Sequence, residues 1–230
     1  MQLIDKVSVL FFSVFLIHLS LFSQPYPYFR IEADFSIKEK TEGTSSLSLG
    51  HVFYDINTAT IIYDIKFPEK ERILITDSLI IRIKNNRIVS STKSSNLVSF
   101  SIFNLALSGN FLNYGLMKTN YKISNIEKEK ESVISTWTPP KNMASKKGKI
   151  MLCQKNNSLN GIVSFAPDGK IISKQFFEEY QTFQNIRFPQ KVVQIFYYDK
   201  SEGIKITTFK NVLLNNLNNN EIYNYRLPAH

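Results

Sequence analysis

From Phe29 to Lys38 apolar and polar residues alternate without a break. Phe29, Ile31, Ala33, Phe35 and Ile37 fall on one side; Arg30, Glu32, Asp34, Ser36 and Lys38 fall on the other. A period of two over ten residues is a strand with one buried face, so the folded part begins as a sheet that something else must cover. The reading continues downstream. Thr41-Glu42-Gly43-Thr44 carries turn chemistry, and residues 47–56 and 58–67 read as strands joined near Asp55-Ile56-Asn57. Residues 72–76 and 79–84 are two more, separated by Asp77-Ser78, and Asn85-Asn86 tolerate positive φ and suit a tight hairpin into 87–90. Further strands are expected at 121–128, 132–138, 150–154, 161–165, 171–180, 190–198 and 204–209, with a short one at 222–227 after an asparagine-rich stretch.

The period of two is lost at Asn96. Phe100, Phe103, Leu107 and Phe111 keep helical spacing, and Gly109-Asn110 offers a stop. The pattern predicts one helix of about three turns, followed by a short helical piece over 111–117. This segment is apolar almost all round, which implies burial on more than one side. The expected class is mainly β with helices (α+β): a curved antiparallel sheet or incomplete β-barrel closed by a central apolar helical segment. No internal repeat and no linker interrupts it.

Residues 1–24 have the form of a secretory signal. Lys6 precedes the apolar run 7–22, and Ser23-Gln24-Pro25-Tyr26-Pro27 then turns polar and stiff. An uncleaved anchor is the alternative, although the run is short of the ~20 residues a spanning helix needs. The remainder, 25–230, is the size of one domain, and its expected location is the periplasm. One cysteine, Cys153, cannot build a disulfide framework, so an exported chain of this kind folds on its hydrophobic core alone; Cys153 itself reads as a small hydrophobe in a strand. The formal charge of +9 is no argument for nucleic acid in an exported protein. It fits affinity for anionic surfaces, or plain solubility.

Catalytic constellations are poor. Of three histidines, His18 lies in the signal, His230 is the last residue and His51 stands alone in a strand. A triad would have to use His51 without a flanking pattern, and a histidine metal site lacks partners. There is no phosphate-binding glycine loop. Glu127, Glu129 and Glu131 alternate with lysines at a hairpin tip, and Glu178-Glu179 straddle opposite faces of a strand. Neither forms a facing carboxylate pair, although distant strands could supply one. No enzyme activity, cofactor or metal is expected.

What the chain has in quantity is apolar bulk, including 18 Phe and 11 Tyr. Most of it must be core. A half-open sheet around an apolar helical segment also encloses space, and barrel-like β structures of this size hold either side chains or a ligand. The expected cavity residues are Phe35, Phe53, Tyr63, Ile81, Phe100, Phe103, Leu107, Phe111 and Trp137. The basic loop 141–149, with Lys141, Lys146, Lys147 and Lys149, is the expected contact with a membrane or partner, or else a merely solvated loop.

Two stretches carry a resemblance. The first runs Thr60-Ile61-Ile62-Tyr63-Asp64-Ile65-Lys66-Phe67-Pro68, Arg72 to Ser78, and Leu79-Ile80-Ile81-Arg82-Ile83. The second runs Phe176-Phe177-Glu178-Glu179-Tyr180, Ile186-Arg187-Phe188-Pro189, Lys191 to Tyr198, Ile206 to Asn215, and Tyr223-Asn224-Tyr225-Arg226-Leu227-Pro228. In order and spacing, over roughly 28–228, they resemble the periplasmic outer-membrane lipoprotein carrier (LolA-like) family. That resemblance implies an incomplete antiparallel barrel lidded by helices, a monomer holding lipoprotein acyl chains or other lipids for transfer towards the outer membrane. It also implies an inner-membrane loading complex and an outer-membrane acceptor as partners. Tyr63 matches the family's strand aromatic and Asp77-Ser78 its Asp-Gly turn, with Ser78 in place of glycine. The arginine that the family places before that aromatic, linked to cargo release, has no counterpart in 57–62. Two other classes stay open: an envelope interaction module with a packed interior, and a hydrolase with dispersed carboxylates in a polar cleft.

Overall fold

The computed structural model describes residues 28–199 and 201–228; the signal expected over 1–24 lies outside them. Among the described residues thirteen strands form one antiparallel sheet. They are β1 (Arg30–Thr41), β2 (Thr44–Asp55), β3 (Thr60–Phe67), β4 (Glu71–Ile75), β5 (Leu79–Lys84), β6 (Arg87–Lys93), β7 (Lys122–Glu129), β8 (Ser132–Thr138), β9 (Ile150–Lys155), β10 (Ser158–Phe165), β11 (Ile171–Phe183), β12 (Ile186–Tyr197) and β13 (Glu202–Leu214). The order across the sheet is β6-β5-β4-β3-β2-β1-β13-β12-β11-β10-β9-β8-β7. It consists of two meanders of hairpin-linked neighbours, welded at the centre by the long-range pair β1–β13, from Ile31 opposite Leu214 to Thr41 opposite Gly203. The sheet is curved and unclosed.

This topology dictates where the apolar insert goes. β6 and β7 are the two outer edges, so the connection between them must cross the width of the sheet. It does so over the concave face and carries the aromatic residues with it. The expected three-turn helix is only six residues long, α1 (Ile102–Leu107). The shortening has local causes. Asp77, in the β4–β5 turn, accepts hydrogen bonds from the Val98 and Ser99 amides at 3.1 and 3.0 Å and from the Ser99 hydroxyl at 2.9 Å, holding the preceding residues in a turn. Ser101 caps the helix by accepting from the Asn104 amide. Gly109, at φ 67°, ends it. Phe100 and Phe111 therefore lie outside the helix. Between α1 and β7 the chain makes turns and one 3-10 segment, Leu116–Lys118. Among the described residues the only other α-helix is α2 (Asn220–Tyr223), where a strand was expected over 222–227.

β10, β11 and β12 reach further towards their hairpins than expected, because tight turns join them directly to their neighbours. Asn156-Asn157 take φ of 50° and 54° between β9 and β10, and Gln184-Asn185 take 44° and 73° between β11 and β12. Pro189 lies inside β12, opposite Tyr180. Glu179, next to Tyr180 across the ladder, is equally irregular, with a φ of 56° in an otherwise unbroken register. The positive φ turns Glu179 away from strict alternation, so Glu178 and Glu179 do not part to opposite faces as expected: both reach Lys191, at 2.8 and 3.8 Å.

The two faces of the sheet each have a core. On the concave face Ile31, Ala33, Phe35, Val52, Tyr54 and Phe209 pack with α1. At the centre of this packing Phe103 lies against Tyr54, Phe188 and Phe209, with centroids 6.2, 5.9 and 5.5 Å away. On the convex face Phe53, Ile62, Leu74, Ile81 and Ile83 form a smaller cluster capped by Tyr223 of α2.

Candidate functional site

A cavity of about 1240 Å3 opens between the concave face and the crossing segment. This exceeds the ~300–1,000 Å3 usual for small-ligand sites. The strands contribute alternate residues to its wall: Phe35 and Ile37 from β1, Tyr63 and Ile65 from β3, Ile73 and Ile75 from β4. β12 and β13 add Val192, Thr207 and Phe209, and the crossing segment adds Phe100, Phe103 and Tyr114. The curvature is fed by Gly50. A Cβ there would lie 2.9 Å from both the Ile65 Cα and the Phe35 ring and would strike the Asp64 carbonyl. The glycine also sits at the register shift between β2 and β3.

Tyr63 and Tyr114 give this apolar wall polar points. Burial pushes each phenol up to about 12. Tyr63 packs edge-on to Phe35 at 5.2 Å and Tyr114 lies 5.8 Å from Phe100. Neither hydroxyl has a hydrogen-bond partner among the described residues, although buried phenols usually find one. Both are therefore free to donate to a guest in the cavity. Arg82 of β5 also lines the wall, its guanidinium held at 2.7 Å on both oxygens of Glu71. That pairing holds the buried Glu71 carboxyl below its ordinary value.

Of the nine residues expected in the cavity, the structure brings Phe35, Tyr63, Phe100 and Phe103 to its wall. Leu107, Phe111 and Trp137 belong to the packed core beside it: Phe111 sits edge-on to Phe177 at 5.1 Å, and the Trp137 indole donates to the Ser135 hydroxyl at 2.9 Å. Phe53 and Ile81 are on the other face altogether. The pairing of Ile31 with Tyr54 makes the even-numbered residues Val52 and Tyr54 point inward in β2, so Phe53 points outward. In β5 it is Arg82 that reaches the cavity, and Ile81 points away. Sequence reasoning missed Ile37 and Ile65, which the period of two starting at Phe35 and Tyr63 would have found.

The basic loop forms one rim. Pro140, Met143, Lys146, Lys147 and Gly148 line the opening; Lys141 and Lys149 do not, and the Lys149 ammonium lies 4.6 Å over the Phe165 ring. Gly148 is required by contact. A Cβ there would lie 2.6 Å from the Phe165 carbonyl carbon, and its carbonyl accepts from the Tyr121 hydroxyl at 3.1 Å.

On the convex face the asparagine-rich tail has a definite task. Glu32 is 2% exposed, and its carboxylate accepts from Asn216 at 2.6 Å, Asn219 at 3.0 and 3.1 Å, and the Tyr223 hydroxyl at 3.2 Å. Arg30 pairs with Asp55 at 2.7 Å and stacks over the Tyr223 ring at 4.1 Å. His51 stands between Asp34, 2.8 Å from its Nδ1, and Glu32, 3.9 Å from its Nε2. Glu32 is thereby committed to holding the tail, and Asp34 to His51 and to Asn211 of β13. Among the described residues no group of three or more His, Cys, Asp or Glu side chains could hold a metal ion, and no helix is long and apolar enough to cross a membrane.

No protein-family model matches the chain, and no curated protein matches it. Solved structures do. A LolA superfamily protein from Nitrosomonas europaea aligns with TM-score 0.57 and 11% identity over 85% of this chain and 90% of that one. A domain from Vibrio parahaemolyticus, described as an outer membrane lipoprotein-sorting protein, aligns with TM-score 0.59 and 11% identity over 87% and 92%. The fold is LolA-like. A DUF1329 family protein from Desulfovibrio piger shares it too, with TM-score 0.61 and 8% identity over 94% and 95%. At such identities the LolA-like fold is what these chains have in common, and the wall of the cavity is this chain's own.

Proposed function

We propose that this protein is a non-enzymatic, exported lipid binder that holds lipoprotein acyl chains or other lipids in its concave cavity and carries them through the periplasm towards the outer membrane. In this reading residues 1–24 are its signal and 25–230 its single lipid-binding domain, working as a monomer. A loading complex at the inner membrane and an acceptor at the outer membrane are its partners. The observation that carries the reading is the cavity: about 1240 Å3, walled by Phe, Ile, Leu and Tyr, with Glu39 the one carboxylate among the described residues that line it. Each methylene buried in such a wall is worth about 0.8 kcal/mol. The fold shared with a lipoprotein-sorting domain supports the same reading. At the rim, exposed Leu97, Met143 and Ile172 stand with Lys146 and Lys147, a combination of apolar and cationic groups that suits a membrane surface during loading or release.

The test is to express the chain with its signal in a Gram-negative host, purify it without detergent and record native and denaturing mass spectra. Co-purified lipid or acylated peptide is the expected result and names the cargo class. A clean unliganded mass, with no uptake of added lipid, would instead identify an interaction module built on the same fold.

A further inference from the structure

The cavity is not uniformly apolar, and its polar groups are in register. On the concave face Glu39 of β1 lies opposite Lys205 of β13, Lys205 opposite Gln194 of β12, and Gln194 opposite Gln175 of β11. All four line the cavity. They form one continuous polar row across four central strands, with the Lys205 ammonium 2.9 Å from the Glu39 carboxylate. The next row inward is Ile37, Thr207 and Val192, and the next holds Phe35 opposite Phe209. Burial follows the same gradient: Phe35 and Phe209 are buried, Lys205, Gln194 and Gln175 half-buried, Glu39 exposed. From Phe209 to Lys205 is four residues, about 13 Å along the strand. Among the described residues that line the cavity, Arg82, Lys146, Lys147 and Lys205 are cationic and Glu39 is the one carboxylate. Arg82 is paired with Glu71 and Lys205 with Glu39, so Lys146 and Lys147 carry the excess positive charge, and apolar walls focus the field of such groups.

Resting on the lipid-binding reading above, we propose that the ligand is an anionic amphiphile bound tail-inward. Its chain lies against Phe35, Phe103 and Phe209, and its carboxylate or phosphate head is received by Lys205 at the polar row, with Gln194 and Gln175 as hydrogen-bond donors. Glu39 holds Lys205 in place and competes with the head for it.

Displacement of Nile red from the lipid-stripped protein by palmitate, hexadecyl phosphate and hexadecanol, below their micellar concentrations, tests this. The two anions are expected to bind about tenfold more tightly than the alcohol, the difference expected when one charge-assisted hydrogen bond is gained. That advantage should shrink at high salt. Their ranking against each other distinguishes a carboxylate from a phosphate head. Lys205→Gln should bring the anion-to-alcohol affinity ratio towards one, and Glu39→Gln should raise it, which keeps the test alive if either variant folds poorly. Equal affinity for anions and alcohol, or a ratio unmoved by both variants, overturns the inference and leaves the lipid cavity standing. If none of the three binds, the lipid-binding reading falls and the inference with it.

Discussion

Phe103 shows how one side chain serves both the core and the cavity. It is 1% exposed, touches three aromatic rings and still borders the cavity. Phe103→Ala should therefore cost about 3–5 kcal/mol of unfolding free energy in urea titration, and a charge at this position would test folding more than binding. Ile37 is the better probe of the cavity, because it lines the floor and is only half-buried. Ile37→Glu should abolish lipid co-purification in a protein whose far-ultraviolet circular dichroism is unchanged; full lipid content in the folded variant would remove the floor from the binding site. Glu71 makes a prediction in pH. Its carboxyl is held below its ordinary value of 4.5, first by the hydrogen bond from Arg82. The folded state thus binds this proton less readily than the unfolded state does. The resulting stability is fully present above 4.5 and is lost as pH falls through the depressed folded value. Glu71→Gln should lower stability at neutral pH by about 1.5–3 kcal/mol and flatten the acid limb of a plot of urea midpoint against pH.

Elements gain their meaning from what they are tied to. The tail 215–228 is polar in composition, and nothing in its sequence says that Asn216 and Asn219 satisfy a buried carboxylate on β1. A short strand was expected at 222–227, which holds Tyr223 and Tyr225. In the fold these rings instead find Phe53, at 5.6 Å, and Arg72, at 4.4 Å, on the convex face. Tyr223→Ala should cost about 3 kcal/mol or more and speed hydrogen exchange at Glu32 and Phe53, whereas Tyr223→Phe removes one hydrogen bond and should cost about 1 kcal/mol. Equal effects of the two changes would mean that the ring packs nothing. The crossing segment is the other case. Its apolar character and its burial on more than one side were legible in Phe100, Phe103 and Leu107, but its helix length was not. Asp77, far away in sequence, holds the residues before α1 in a turn.

At the scale of the molecule, stability and binding share one cavity. A ligand that binds only the folded protein stabilises it by mass action, about 2.7 kcal/mol at a hundredfold excess over its dissociation constant. Saturating palmitate should therefore raise the thermal midpoint in a concentration-dependent way, and Ile37→Glu should lose that rise. A midpoint independent of palmitate would argue against the cavity as the binding site. Alternation in the sequence by itself determined that the chain is a mainly antiparallel β protein, where most strands run, and which residues share a face, because a strand's side-chain period is local and independent of its neighbours. It could not determine which face is concave. Phe53 and Tyr63 look equally suited to a cavity until the pairing of β2 with β1 turns one outward and the pairing of β2 with β3 turns the other in. The polar row of Glu39, Lys205, Gln194 and Gln175 was likewise invisible. Its members come from four strands, and Glu39 meets Lys205 only because β1 pairs with β13 across nearly the whole folded chain. Long-range register is set by packing free energy summed over the whole sheet, and that sum exists only in the tertiary structure.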